Sequence, residues 1–317
     1  MRLLFRILIP VAAILAMFKL WLKWTTGWCR SNVRLVGKTA IITGANTGIG
    51  YETAKDLAKR GARVILACRD PTRGQKAVEK IVKATNNQNV IFKHLDLSTF
   101  ESVIEFAKDI NKTEARLDIL VNNAGMGFRG YLKADNGFLL IMQTNYFGHF
   151  LLTNLLLDLM KKTKNSRIVN VGSIAAKFTE DFDVNQLNKY EASGHHFEVY
   201  CRSKLCNLLF TIELADRLKG TSVTTYSVHP GAVATEAFRT IPAVARIITT
   251  VLGWFMKNSL EGAQTTIYCS LQKGIENYSG EHFEDCHYVS RYKIAQDPNL
   301  PKQLWKVTEE LIKTVIG

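Results

Sequence analysis

The sequence predicts an α/β fold, a doubly wound parallel (Rossmann) sheet with helices on both faces, and three observations carry that prediction. Apolar runs of about five residues alternate with amphipathic helical stretches from Thr39 onward. A glycine-rich turn, Thr43-Gly44-Ala45-Asn46-Thr47-Gly48-Ile49-Gly50, joins the first run to the first helical stretch. At 317 residues, 47% hydrophobic, the chain can bury one large core, and scarce proline with no repeat or low-complexity linker favours a single domain over residues 38–317. Continuous apolar strands between helices are what a sheet covered on both faces requires.

Ahead of that domain, residues 1–24 read as a membrane anchor. Leu3 to Leu22 is almost wholly apolar, and about 20 helical residues span the roughly 30 Å of a hydrocarbon core. Arg6 and Lys19 lie within a turn of its ends, where long basic side chains snorkel, and Trp21, Trp24 and Trp28 suit an interfacial belt. A cleaved signal peptide is the competing reading, because Ile7 to Phe18 is a short uncharged core. Against it, Lys19, Trp21 and Lys23 stand where small residues should mark a cleavage site. Residues 1–38 hold seven basic residues and no acid, so they account for +7 of the net +13 and leave +6 for the rest. That placement points to a membrane surface and away from nucleic acid, which would need a basic stripe on the folded part. Residues 25–37 are then a basic juxtamembrane linker. Lys23, Arg30, Arg34 and Lys38 outnumber Arg2 and Arg6, which puts the main domain in the cytosol. Six scattered cysteines without metal-ligand spacing read as free thiols of a reducing compartment; three disulfides in a secreted protein are the alternative.

The elements follow in order. Thr39 to Thr43 is a first strand and Tyr51 to Arg60 a helix; Arg63 to Cys68 and Thr72 to Thr85 repeat the pattern. Val90 to His94, Ser98 to Ile110, Asp118 to Val121 and a long helix within Asp135 to Leu159 come next. Arg167 to Val171, Phe197 to Lys219 and Ser222 to Val228 complete the alternation, with a short edge strand at Gly280 to Phe283 and a final helix at Lys302 to Ile316.

The glycine turn has the strand–turn–helix context in which such a motif lets backbone approach a pyrophosphate at a helix N-terminus. A tight turn without a ligand is the plainer alternative. The second strand ends in Cys68-Arg69-Asp70. Cys68 stands where an acid would hold the 2′-hydroxyl of NAD, and Arg69 suits the 2′-phosphate of NADP. Asp70 either pairs with Arg69 or repels that phosphate.

Tyr200 and Lys204 lie four residues apart, on one helix face. A phenol of pKa about 10 is a poor acid–base catalyst unless a nearby cation stabilises its anion. A shift of three units needs about 4 kcal/mol, which calls for a dry pocket and a second positive group such as an oxidised nicotinamide. A second pair at this spacing, Tyr51 and Lys55, reads as structural. Ser173 follows the fifth strand, where the carboxyl ends of parallel strands gather a ligand site.

Together these pieces resemble a classical short-chain dehydrogenase/reductase. The glycine turn, Asp96 in Leu95-Asp96-Leu97-Ser98, Asn122-Asn123-Ala124-Gly125, Asn145, Ser173, Tyr200 with Lys204, and His229-Pro230-Gly231 with Thr235 come in the family order over about residues 36 to 290. Ala67-Cys68-Arg69-Asp70, Gly148-His149-Phe150-Leu151-Leu152 and Glu261-Gly262-Ala263-Gln264-Thr265 are similar to the membrane-anchored, NADP-dependent retinol dehydrogenases. The resemblance implies that Tyr200 exchanges the proton at the substrate oxygen and that Lys204 lowers its pKa and binds the nicotinamide ribose. Ser173 would bond the substrate oxygen and Asn145 would hold a relay water. NADP would be bound by Gly44, Asn46, Thr47, Gly48, Ile49, Gly50, Arg69, Asp96, Leu97, Asn123, Ala124, Gly125, Tyr200, Lys204, Pro230, Gly231, Val233 and Thr235. It further implies an endoplasmic reticulum membrane and a lipophilic primary alcohol or aldehyde as substrate, retinol/retinal first. Farnesol, another isoprenoid, a sterol or a lipid aldehyde is the close alternative, and a non-catalytic NADPH-binding scaffold is the alternative of another class. The sequence leaves a homodimer open.

Two departures stand out. The serine strand reads Val171-Gly172-Ser173 where the subfamily has paired serines, and Met126-Gly127-Phe128-Arg129-Gly130 on the substrate side is unlike the subfamily. Ile241, Val244, Ile248, Val251 and Phe255 form an apolar seam within about 237–258, either packed on the domain or a substrate lid with Trp254 at the membrane interface. His195, His196, Asp181 and Asp183 read as solvated loop residues, and Cys201 as a packed thiol.

Overall fold

The structure, a computed structural model, describes residues 2–127, 132–179, 181–188, 196–233 and 253–317. An eight-stranded sheet runs in the order β3-β2-β1-β4-β5-β6-β7-β8. Its strands are β1 (Thr39–Thr43), β2 (Arg63–Cys68), β3 (Val90–His94), β4 (Ile119–Asn122), β5 (Arg167–Val171), β6 (Thr224–His229), β7 (His282–Glu284) and β8 (His287–Val289). All pairings are parallel except β7 with β8. The expected edge strand is therefore the first arm of a hairpin, turned by Asp285 and Cys286 at positive φ.

Side-chain alternation along the strands divides the interior in two. Ile41, Ile65, Leu120 and Ile168 face one way, against α4 (Phe100–Thr113), α6 (Gly148–Thr163), α7 (His196–Arg217) and the last helix, α9 (Leu300–Ile316). Ala40, Ile42, Val64, Leu66 and Val121 face the other, against α2 (Gly48–Lys59), α3 (Pro71–Thr85) and α8 (Ser259–Leu271). The chain leaves β1 toward β2 and later crosses back to β4. The carboxyl ends of β1 and β4 thus flank a topological switch point, where ligands bind in open α/β sheets.

The long helix expected after β4 is interrupted. Short α5 (Leu140–Met142) passes into a π-helical turn, Gln143–Phe147, before α6 begins. Gly148 N donates to Gln143 O, one residue further back than in an α-helix. The widened turn carries Asn145, and such turns are frequent at functional sites.

An N-terminal helix, α1, covers Arg2–Thr25. Among the described residues no helix is long and apolar enough to cross a membrane. The end of α1 rests on the catalytic domain: Lys23 pairs with Glu261, Lys19 lies 3.9 Å from the Trp254 ring centre, and Phe18 meets Phe255 at 5.8 Å between ring centres. The residues after it follow the domain surface. Gly27 N donates to Asp285 Oδ1 (3.0 Å), Cys29 N to Gln264 Oε1 (3.2 Å), and Arg60 Nη1 to the Ser31 and Val33 carbonyls. A Cβ on Gly27 would lie 1.8 Å from Asp285 O, so this contact needs glycine. Most of the 237–258 lid segment, with Ile241, Val244, Ile248 and Val251, lies outside the described residues.

Candidate active site

The glycine turn is built for close approach. Gly44 (φ 65°) and Gly48 (φ 61°) take left-handed backbone. A Cβ on Gly44 would stand 2.9 Å from Ala124 Cα, and one on Gly50 would stand 2.4 Å from Asn123 Nδ2. Gly48 has open space beside it. Thr47 starts α2 without a side-chain cap, so no side chain of the cap residue occupies the first-turn N–H groups at the switch point. Ile49 packs close to Gly262 of α8. This is a cradle that suits a pyrophosphate: backbone N–H groups, a helix N-terminus and no Cβ in the way.

At the end of β2, Cys68 is buried beneath that turn. The Ala45 and Asn46 N–H groups point at its sulfur, and burial pushes its thiol up to about 11. Arg69 is exposed, with Nε 4.0 Å from Asp96 Oδ2. Asp70 caps α3 by accepting from Arg73 N (3.0 Å) and faces the Arg73 guanidinium at 3.6 Å. Asp96 Oδ1 accepts from Ser98 N and Oγ (2.9 and 2.7 Å), and Leu97 O accepts from Gln143 Nε2 (3.1 Å).

The β4 end is tied to the β1 end by one hydroxyl. Thr43 Oγ1 accepts from Asn123 N and from Ala124 N, both at 2.9 Å, while Asn123 Nδ2 donates to Thr43 O (2.8 Å). Gly125 lies beside the catalytic group: a Cβ there would be 3.4 Å from Asn145 Oδ1 and 3.5 Å from Lys204 Nζ.

Asn145, Ser173, Tyr200 and Lys204 come together from three elements. The Asn145 side chain is engaged on all sides: Oδ1 accepts from Met126 N (2.8 Å), and Nδ2 donates to Met126 O (3.1 Å) and to Ser203 Oγ (3.0 Å). It therefore braces the substrate-side loop against the helix of Tyr200 and Lys204. Ser173 caps a 3-10 turn by accepting from Ala175 N (3.1 Å) and hydrogen-bonds the Tyr200 phenol. Lys204 Nζ is buried, donates to Val171 O (3.0 Å) and lies 5.8 Å from the Tyr200 ring centre. Burial lowers Lys204 to about 8. Burial also raises the Tyr200 phenol above its ordinary value, against the pull of the Ser173 hydrogen bond. The lowering of the phenol by Lys204 that the resemblance implies is therefore not seen with these side chains alone, because burial outweighs the Ser173 hydrogen bond.

The third wall is the end of β6 and the segment that follows it. Ile174 N donates to His229 Nδ1 (3.2 Å), and burial lowers His229 to about 4. Gly231 (φ 86°) passes the Lys257 side chain so closely that a Cβ would meet Nζ at 2.8 Å. Val233 packs on Gly262, beside Ile49, which brings this strap to the glycine turn. Pro230 leads into the strap, and Thr235 lies outside the described residues. Gly172, in place of a second serine, has Ser227 Oγ and Val228 O at 3.3 Å from a Cβ position, so a larger residue there would be tight. Lys55 pairs with Glu52 at 3.6 Å. Sequence reasoning gave no role to Thr43, His149 or Lys257. For His149 the available signal was its place one turn after Asn145 on the same helix.

A doubly wound sheet with a glycine cradle at its switch point and a Tyr–Lys–Ser cluster across from it defines an oxidoreductase that uses a nicotinamide dinucleotide. Comparison with known proteins narrows this. The profile of the short chain dehydrogenase family matches residues 38–244. Retinol dehydrogenase 11 of Mus musculus is 46% identical over 289 residues, covering 91% of this chain and 90% of that protein. Retinol dehydrogenase 12 of Bos taurus is 44% identical over 287 residues, covering 90% of each. Among solved structures, an uncharacterized protein from Mycobacterium paratuberculosis superposes with a TM-score of 0.74 at 31% identity, covering 91% of this chain and 98% of that one. The chain belongs to the short-chain dehydrogenase family.

Proposed function

We propose that the protein is an NADP(H)-dependent oxidoreductase that interconverts retinol and retinal, attached to the endoplasmic reticulum membrane through α1 with its catalytic domain in the cytosol. The observation that carries the catalytic part is the convergence of Ser173, Tyr200, Lys204 and Asn145 beside Gly125, at the carboxyl end of the sheet. The substrate reading is supported by the retinol dehydrogenases that share 44–46% of the sequence over nine-tenths of the chain. Exposed Ile174, Phe178 and Phe197, which follow Ser173 or precede Tyr200, suit an apolar substrate. NADP over NAD is supported by Arg69 at the end of β2, with Asp70 turned to Arg73. Membrane attachment is supported by exposed Ile9, Ile14, Met17, Phe18, Leu20, Trp21 and Trp24 along α1.

The cofactor, when bound, supplies or takes the hydride. Tyr200 gives the proton to the substrate oxygen in reduction and takes it back in oxidation. Ser173 bonds that oxygen and the phenol together, fixing the line of transfer. Lys204 holds positive charge beneath the site, and Asn145 keeps the substrate-side loop and the catalytic helix in register for proton relay. Gly44, Asn46, Thr47, Gly48, Ile49 and Gly50 receive the pyrophosphate and the 2′-phosphate side, and Asn123, Ala124, Gly125, Pro230, Gly231 and Val233 line the groove toward the nicotinamide.

NADPH oxidation with retinal by the detergent-solubilised full chain tests this reading. Tyr200→Phe should lower turnover by about 10³-fold while NADPH fluorescence still reports binding. Turnover retained in Tyr200→Phe removes the catalytic assignment, and wild-type activity confined to farnesal or sterol ketones removes the substrate.

A further inference from the structure

His149 is fully buried on α6, between the two halves of the site. Its Nδ1 lies 3.2 Å from the main-chain oxygen of Asn145, one turn back. Its Nε2 lies 2.8 Å from Thr43 Oγ1. A carbonyl can only accept, so the ring carries its proton on Nδ1, and Nε2 is left as an acceptor for the Thr43 hydroxyl. That hydroxyl has one proton. Its alternative acceptor, Val121 O, is 3.4 Å away, so the proton goes to the ring. The two oxygen lone pairs of Thr43 are then free for Asn123 N and Ala124 N, which they accept at 2.9 Å each. Each bond in the chain Asn145 O, His149, Thr43, Asn123 N and Ala124 N then has a definite direction, with Thr43 Oγ1 donating one bond and accepting two. Burial with Lys204 nearby lowers the imidazole to about 4, so the neutral ring persists across the working pH range.

The two ends of this chain of bonds do different work. Thr43, Asn123 and Ala124 form the floor beside the glycine turn. Asn145 grips Met126 on the substrate-side loop and Ser203 on the catalytic helix, and sits in the π-helical turn. We propose that His149 is a positioning residue that sets the register between the floor of the cofactor groove and the π-turn that carries Asn145. It touches neither substrate nor cofactor and acts through Thr43 on one side and Asn145 on the other. This rests on the catalytic reading above only for its turnover readout; the binding readout stands without it.

The two nitrogens can be separated by substitution. Asn at 149 places an amide N–H near the position of Nδ1 and cannot reach Thr43. Gln places an amide oxygen near the position of Nε2 and loses the bond to the carbonyl one turn back. In the solubilised full chain, His149→Asn should weaken NADPH binding roughly tenfold with kcat for retinal nearly kept. His149→Gln should lower kcat roughly tenfold with the NADPH Kd nearly kept. Thr43→Val should copy the binding defect, and adding His149→Asn to it should change the NADPH Kd no further. The proposal is overturned if Asn and Gln shift Kd and kcat together in step with a fall in Tm, as a packing defect would. Additive Kd effects of Thr43→Val and His149→Asn, or no effect of either His149 substitution, overturn it as well. A failure of retinal turnover in the wild type would instead strike the substrate reading and leave the Kd comparison standing.

Discussion

The two ends of the dinucleotide groove are built in opposite ways. At the nicotinamide end, Asn145 and Lys204 are buried and tied to other elements, Asn145 to the Met126 main chain and the Ser203 hydroxyl and Lys204 to Val171 O. At the adenine end, Arg69 is exposed and meets only the rim of ion-pair distance to Asp96, while backbone shape at Gly44, Gly48 and Gly50 makes the cradle. The first end holds reacting groups to a fraction of an ångström by polar bonds in a low-dielectric interior. On the proposed reading, the second would meet a phosphate with a solvated charge, where a looser hold suffices and salt screens it. Substitutions at one end should therefore change rate and stability together, and at the other should change cofactor choice alone.

The sharpest test of that contrast is Lys204→Met, expected to lower kcat by about 10³-fold. Its effect on stability runs the other way. Burial depresses Lys204 from 10.5 to about 8, so its contribution favours the fold above 10.5 and is lost as pH falls through 8. At neutral pH the buried ammonium is a cost, and Lys204→Met should raise stability by on the order of 2 kcal/mol in chemical denaturation. In the wild type, kcat should fall about tenfold for each pH unit above 8, as the ammonium is lost. A kcat that stays flat to pH 10 would separate Lys204 from the chemistry. Asn145→Ala comes next. It leaves Met126 and Ser203 without their partner, and both a roughly 10²-fold loss in kcat and a loss of about 1–3 kcal/mol in stability are expected. An intact melting temperature with reduced kcat would mean that the brace has no structural share. The smallest effect belongs to Arg69→Ala: about a tenfold rise in the KM for NADPH, none for NADH, and an unchanged melting temperature. Equal effects on both cofactors would erase the difference between the two ends.

The alternation of strands and helices, the glycine turn and the Tyr200–Lys204 pair were legible in the sequence because each depends on short-range spacing. Period-2 apolar runs and an i,i+4 pair say where side chains point before any tertiary contact is known. What could not be read depends on atoms far apart in the chain. That Asn145 meets Met126 and Ser203, and that Arg69 lies beside Asp96, follows from loop paths that no local pattern encodes, whereas the Asp70 cap on Arg73 is an i,i+3 signal that the sequence carries. The π-turn was missed because an apolar helix pattern over Asp135 to Leu159 tolerates one extra residue without losing its face. The hairpin arm β8 is three residues long, too short for an alternation to register. The expected fall in the Tyr200 phenol is absent: burial raises it, the Ser173 hydrogen bond opposes that only in part, and Lys204 is not among the groups that shift it, because the sequence shows the i,i+4 spacing but not the depth of burial.

The contacts of residues 26–35 alter how the catalytic domain would hang from a bilayer. A free extended chain over residues 25–37 could reach roughly 45 Å and let the domain tumble on a leash. Here that stretch is sewn to the domain by Gly27 on Asp285, Cys29 on Gln264 and the Ser31 and Val33 carbonyls on Arg60, and almost no slack remains. With α1 in lipid, the surface around Trp254, Phe255 and Lys257 would stay at the headgroups, next to the Gly231 strap. A water-insoluble alcohol could then pass from leaflet to groove with little travel through solvent, the enzyme working less like a tethered globule than like a cap seated on the membrane.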